Sequence, residues 1–331
     1  MEDQIDYLVN IDFAGRGIGH LYRAAREKIG MPLALAAAQK LAAIPPGSVM
    51  LMTTGSASRA WISPTIAEND GPAGAAVIAR AVSLAFNVIP IVLCEEALFA
   101  SVGGIFREAG MSILTLEEAR RTQMPGGRLS VVVLRGYPTD DEQARAMAAA
   151  LLDELQPALL FATERPGMNE KGIYHNARGV DYGLGKARVD HVFVEARRRT
   201  IPSIGVGDGG NEIGMGLVAE AVRQNVQWGA NCNCGCGAGI GAVTPTDVLV
   251  TAAVSNWGCY AITACLAMLL KNPELLHTAE QEELLLRRGV ELGLINSPQG
   301  RVDPHVDAIP LPTHKAMAEL LYELAIRARG Q

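Results

Sequence analysis

Residues 203 to 216 read SIGVGDGGNEIGMG, a short apolar run that breaks into a glycine-rich loop carrying Asp208, Asn211 and Glu212. Glycines let backbone come close to a ligand, and no turn needs two carboxylates and an amide in order to form. The loop therefore reads as a site. Its spacing Gly205-x-Gly207-x-x-Gly210 formally matches a dinucleotide fingerprint. However, Asp208 and Glu212 would oppose a pyrophosphate, and no acidic residue stands near position 230 to hold a ribose. The acids suit an amine or a divalent cation better. Asp208, Asn211 and Glu212 would offer oxygen ligands to Mg²⁺ or Mn²⁺ if an ion is used, although no cofactor is required by the pattern.

Other polar groups recur in the same kind of place. Glu164-Arg165 is either a local ion pair or a working pair, with Arg165 clamping a substrate carboxylate and Glu164 handling a proton or an ammonium. The Pro166-Gly167 and Tyr174-His175-Asn176 that follow favour the second reading, and bring in Tyr174 and Asn176 as substrate contacts. Glu68-Asn69-Asp70-Gly71-Pro72 is a turn with a helix cap and an N1 proline, or a ligand loop through Asp70. Ser255-Asn256-Trp257 opens a helix, where Ser255 is able to cap and the free N–H groups to hold an anion. Cys232-x-Cys234-x-Cys236 is spaced more tightly than zinc ligands usually are and has no histidine near it in sequence, so small side chains in a glycine-rich loop are the plainer account.

The elements that must position these residues are apolar runs alternating with helical patterns. Strands are predicted at Val49–Thr53, Val88–Leu93, Ser130–Leu134, Ala158–Ala162, Pro202–Val206 and Asp247–Ala253. Helices are predicted at Pro72–Phe86, Glu95–Ala109, Asp140–Leu155, Val189–Arg198, Ile213–Gln224 and Asn256–Leu270. Strands apolar throughout and separated by helices imply an α/β fold, a mostly parallel, Rossmann-like sheet covered on both faces. Thr53-Thr54-Gly55, Glu164-Arg165, the Asp208 loop and Ser255-Asn256 each follow a strand, so they would line one cleft at the carboxyl end of the sheet. The loop from Ser56 to Gly71 is long enough to act as a lid. Residues 1–46 read as a helical N-terminal segment with helices at about Gly17–Ile29 and Leu33–Ala43. Residues 47–331 form the α/β core, which ends in helices at Thr278–Leu292 and Thr313–Arg329, and the whole is expected to be one domain.

A net charge of −6 argues against nucleic-acid or anionic-membrane partners. The longest apolar stretch, Ala252–Leu270, is interrupted by Ser255, Asn256 and Thr263 and reads as a buried helix rather than a span. With an acidic start and six cysteines that make no disulfide framework, the expectation is a cytoplasmic protein whose partner is a small amino acid, with homo-oligomerisation left open.

With these segments in hand, the chain resembles the D-glutamate cyclase family. The matching segments are Asn10-Ile11-Asp12, Gly15-Arg16-Gly17, Thr53-Thr54-Gly55, Glu68 to Gly74, Glu164 to Gly167, Tyr174 to Arg178, Gly205–Gly216, Val254 to Gly258 and Val306-Asp307. They run in family order across almost the whole chain, and the cysteine-rich stretch from Asn231 to Gly241 stands outside them. The resemblance implies a lyase that reversibly dehydrates D-glutamate to 5-oxo-D-proline. On that basis Arg165 and the helix start at Ser255-Asn256 are expected to hold the two carboxylates, Glu212 or Asp208 to act as base, and Glu164 as acid. The other expected substrate contacts are Thr53, Thr54, Asp70, Tyr174, Asn176 and Asn211. The rival readings are a cyclase for another amino diacid, a small-lactam hydrolase, and an amino-acid sensor without turnover.

Overall fold

The computed structural model describes residues 1–328. Seven strands, β1 (Val49–Thr54), β2 (Ile89–Cys94), β3 (Ser112–Ile113), β4 (Val131–Gly136), β5 (Leu159–Thr163), β6 (Ser203–Gly207) and β7 (Val248–Thr251), form one sheet in the order β3-β4-β2-β1-β5-β6-β7. Every pairing is parallel. The α/β expectation therefore holds, and the ends of the predicted strands fall within two residues of those observed. The two-residue β3 is too short to leave a pattern in the sequence.

Alternation along the strands divides the core in two. Met50 and Met52 of β1 join the larger apolar cluster, while Leu51 joins the smaller one on the opposite face. Helices α2 (Ile18–Ile29), α3 (Leu33–Ala42), α4 (Pro72–Phe86), α5 (Phe99–Glu108), α10 (Ser255–Leu270), α11 (Ala279–Glu291) and α12 (Leu311–Ala328) contribute to the larger cluster. Helices α6 (Leu116–Arg121), α7 (Asp141–Leu155) and α8 (Asp190–Arg198) cover the other face. The predicted end at Arg329 lies outside the described residues. Among the described residues no helix is long and apolar enough to cross a membrane.

Two helix expectations need correcting. The N-terminal segment holds a third helix, α1 (Glu2–Val9), which buries Ile5 and Val9. The predicted Ile213–Gln224 helix forms only as α9 (Ala219–Asn225), after a short 3₁₀ turn at Gly216–Val218. Ile213 and Met215 are buried as loop residues, because Gly214 N–H bonds Thr244 O at 2.8 Å instead of entering a helix.

β1 and β5 lie side by side, yet the chain leaves β1 for β2 on one side and β5 for β6 on the other. This is the switch point of the sheet, where diverging loops leave a crevice beyond the strand ends. Thr54 ends β1 and Glu164 follows β5 at that point.

Remote acids cap the helices that frame this end. Pro32 gives α3 no side-chain cap. Instead the fully buried Asp6 accepts the N–H groups of Leu33 and Ala34 at 2.6 and 3.0 Å. Burial raises the Asp6 carboxyl to about 6, against the lowering effect of those two bonds. Between pH 4 and 6 the folded chain thus holds a proton that the unfolded chain has lost, so the contribution of this group falls as pH rises through that window. We expect wild-type protein to lose up to about 3 kcal/mol relative to Asp6→Asn between pH 4 and 7. Urea unfolding across that range reads the difference, and a gap moving the other way would contradict the assignment.

Candidate active site

A cleft of about 250 Å³ opens at the switch point. The loop after β1 supplies Ser58, Arg59, Trp61 and Glu68; the loop after β5 supplies Glu164, Asn176, Arg178 and Tyr182; and the loop after β6 supplies Asp208 and Asn211. The ends of the chain close it, with Arg16 ahead of α2 and Ser297, Pro298 and Asp307 ahead of α12. The 56–71 segment expected as a lid forms one wall, and Trp61 stands 61 % exposed on it.

The cleft is crowded with acids. Arg16 Nη1 bridges Asp208 Oδ2 at 2.5 Å and Asp307 Oδ2 at 2.8 Å. Burial works to raise the Asp307 carboxyl, but Arg16 holds it below its ordinary range. Asp208 is pushed well up by burial despite Arg16, with Glu164 and Asp307 adding to the rise. Glu164 is raised well above the usual carboxylate range, first by burial and then by Asp70, Glu212, Glu68 and Asp307. Its Oε2 accepts the Ser255 hydroxyl at 2.6 Å. Burial lifts Glu68 to about 7, with Asp307 adding to the rise and Lys186 opposing it.

Glu164 is also held in a left-handed backbone conformation, φ +49°. A side chain there costs about 1–2 kcal/mol relative to the right-handed region, so the surroundings must impose it. Gly71 packs directly on this residue: a Cβ on Gly71 would fall 2.9 Å from Glu164 Cβ and 2.8 Å from Thr54 Oγ1. Arg59 is the complementary feature. Its Nη2 donates to Ser297 O at 3.0 Å, while its buried Nη1 has no partner among the described residues. A guanidinium edge left unpaired beside a cleft is suited to a carboxylate.

Several residues read from the sequence as substrate contacts are placed elsewhere. Arg165 is 1 % exposed and both terminal nitrogens of its guanidinium are engaged inside the protein. It donates to both oxygens of Glu95 at 2.8 and 3.1 Å, to Gly55 O at 2.8 Å and to Ala187 O at 2.5 Å. It ties together the loops after β1, β2 and β5 and does not line the cleft. Tyr174 is likewise buried and donates to Asp190 Oδ2 at 2.5 Å. Thr53 donates to Leu93 O at 2.9 Å within the sheet. Thr54 is buried, with an unpartnered hydroxyl beside Gly71.

The start of α10 is not open to an anion either. Asp70 accepts the N–H groups of Ser255 and Asn256 at 3.0 and 2.9 Å, while Asn256 Oδ1 accepts those of Gly71 and Gly74 at 3.0 and 2.7 Å. Burial raises Asp70 well above its ordinary range, in spite of those amides.

Glu212 receives the N–H groups of Asp208, Gly209 and Gly210 at 3.2, 2.7 and 2.8 Å, so its charge organises its own loop. Asn211 lines the cleft while its amide reaches His175 O at 2.9 Å. Asn176 also lines it, its Oδ1 holding a turn through the N–H groups of Arg178 and Val180. Oxygens of Glu164, Asp208 and Glu212, and separately of Asp70, Asp208 and Asp307, lie within 4.8 Å of one another. Of the expected metal ligands Asp208, Asn211 and Glu212, the two acids converge and are joined by Glu164, while Asp208 is common to both groups. Among the expected site residues, the structure brings Glu164, Asp208, Asn176 and Asn211 to the cleft wall and places Ser255, Asp70 and Glu212 behind it. Sequence reasoning did not assign roles to Arg16, Arg59, Glu68, Arg178, Tyr182 or Asp307. Gly15-Arg16-Gly17 and Val306-Asp307 stood among the matched segments, but nothing local pairs them.

Such a molecule is a parallel α/β protein with a cleft lined by acids and arginines at its switch point. The model of the D-glutamate cyclase-like, C-terminal family matches residues 5–322, and the chain belongs to that family. It is 30 % identical over 269 residues to the human mitochondrial D-glutamate cyclase, a match covering 80 % of this chain and 38 % of the human protein. The chain thus spans well under half the length of that relative.

The two arginines separate structure from binding. Arg165→Met leaves Glu95 buried without its partner and should cost about 3–5 kcal/mol of stability. Arg59→Gln should cost about 1 kcal/mol or less. Chemical denaturation of both variants checks this, and equal losses would show that Arg59 is scaffold.

Proposed function

We propose that the cleft catalyses the reversible intramolecular dehydration of D-glutamate to 5-oxo-D-proline. The feature that carries this reading is one small cleft that gathers a carboxyl whose proton affinity burial raises well above the usual range (Glu164), a second raised to about 7 (Glu68) and the guanidinium of Arg59. The human relative's name supports the substrate and its handedness.

The substrate offers an ammonium and two carboxylates. Arg59 takes the α-carboxylate through its guanidinium. Ionised Glu68 removes a proton from the ammonium, and the freed amine attacks the γ-carboxyl carbon, forming the ring C–N bond. An ionised carboxylate is a poor acyl acceptor, so Glu164 gives its proton to the γ-carboxylate. Two protons leave nitrogen and two are needed to carry one oxygen away as water. Glu68 takes the first from nitrogen, Glu164 supplies the first to oxygen, and the second passes from nitrogen to oxygen as the C–O bond breaks. Transfer of the Glu68 proton to Glu164 restores the pair. Two carboxyls with separated affinities for protons suit these opposite tasks, and holding the amine against the γ-carbon supplies a further share of the acceleration. Mg²⁺ or Mn²⁺ on Glu164 and Asp208 would be a rival way to neutralise the γ-carboxylate. Turnover undiminished by chelators assigns that role to the proton.

Incubation with D- or L-glutamate followed by mass spectrometry should give 5-oxoproline from the D-isomer alone, and folded protein that forms none would contradict the proposal. Because Glu68 must be ionised, kcat/KM should rise with pH and level off above about 7. Glu68→Gln should abolish that limb, and Glu164→Gln should lower kcat by roughly 10²–10⁴.

A further inference from the structure

Away from the cleft chemistry, four soft ligands converge from two loops. Cys232, Cys234 and Cys236 lie between α9 and β7, and His175 lies in the loop after β5. One ligand atom from each falls within 4.8 Å of all the others. His175 Nε2 is 3.2 Å from Cys234 Sγ, and Cys232 Sγ is 3.2 Å from Cys234 Sγ and 3.3 Å from Cys236 Sγ. The sequence expectation that no histidine accompanies these cysteines is therefore corrected: the fold delivers one from 59 residues away.

These separations are too long for a disulfide, which closes to about 2.05 Å, and all three thiols are free. They are slightly shorter than the roughly 3.8 Å edge of a tetrahedron with metal–sulfur bonds of about 2.3 Å, so a small outward movement would seat an ion. The loop is shaped to bring the sulfurs together. Gly235 and Gly237 take φ of +80° and +76°, and they coil a segment that, if extended, would hold alternate sulfurs about 7 Å apart.

The surroundings point the same way. His175 is fully buried and its Nδ1 has no partner among the described residues. Its other nitrogen, Nε2, faces the Cys234 sulfur rather than any oxygen, the side from which a metal-binding imidazole would coordinate. Asn169 Nδ2 lies 3.6 Å from Cys236 Sγ, where an N–H donor stabilises a thiolate ligand, and the same amide is anchored on Gly239 O at 2.8 Å.

We propose that His175, Cys232, Cys234 and Cys236 bind one zinc ion, as a Cys₃His structural site. Three thiolates and an imidazole select Zn²⁺ over oxygen-seeking Mg²⁺ or Ca²⁺. The ion fastens the cysteine loop to the segment that walls the cleft. Asn233 already bonds Gly179 O and Arg178 O at 2.8 and 2.9 Å, and His175 O receives the Asn211 amide. Zinc would thus hold Asn176, Arg178 and Asn211 in register while standing outside the reacting atoms. The site does not depend on what turns over in the cleft.

The test uses the intact protein and reads metal rather than activity. Elemental analysis of protein purified without chelator should find about one zinc per chain, released in step with titration of the thiols by a mercurial reagent. Exchange for Co²⁺ should give the visible bands and thiolate charge-transfer absorption of a tetrahedral sulfur-rich site. Cys234→Ser should lose most of that absorption, while Cys94→Ser, at a buried thiol outside the cluster, should keep it. Should Cys234→Ser fail to fold, the mercurial titration of wild-type protein still decides. Fully reduced protein that takes up neither Zn²⁺ nor Co²⁺ would overturn the proposal. So would an iron–sulfur chromophore, or Co²⁺ bands unchanged in Cys234→Ser.

Discussion

Four carboxyl groups, Glu68, Glu164, Asp208 and Asp307, line one enclosed cleft at the end of the sheet, and burial opposes ionising them all. Asp307 raises the proton affinity of the other three, Glu68 raises that of Glu164, Glu164 raises that of Asp208, and burial works upward on all of them. Arg16 lies between Asp208 and Asp307 and holds Asp307 in its charged form. The remaining acids therefore divide a limited amount of negative charge, and burial together with its acidic neighbours holds Glu164 well above the usual carboxylate range. Like charges in low dielectric impose this division whatever the ligand.

The scaffold around the cleft uses acids in the opposite way. Glu212 is wrapped by three backbone amides, Asp70 by the first amides of α10, and Asp6 by those of α3. Glu95 is locked to Arg165, whose guanidinium holds it below its usual range in spite of burial. In each case the chain sets a loop or a helix start by satisfying backbone donors with carboxylate oxygens. What faces the cleft is the set of acids left without amides, and that contrast separates the groups free to exchange protons from those fixed in structure.

The sheet was legible because its strands are apolar from end to end and its polar loops follow them. Val49–Thr54 and Ser203–Gly207 show the logic, each ending in residues whose types change abruptly. The site was only half legible. Local sequence shows that Glu164 and Asp208 leave strand ends, but not that Arg165 turns inward to Glu95, 70 residues earlier. Arg16 and Asp307 meet across 291 residues, and His175 meets the cysteines across 59. Such pairings depend on how the two ends of the chain and the long loops fold over the sheet, which no periodicity encodes. The Ile213–Gln224 segment misled for a related reason: its apolar residues are buried, but beneath a loop held by Thr244.

The protonation of Glu164 is the claim on which the account turns, and infrared difference spectroscopy addresses it directly. Subtracting the spectrum of Glu164→Gln from that of the wild-type protein at neutral pH should leave the carbonyl band of an undissociated carboxylic acid. A difference spectrum holding only the paired carboxylate stretches would mean that Glu164 is ionised at rest and cannot serve as the acid.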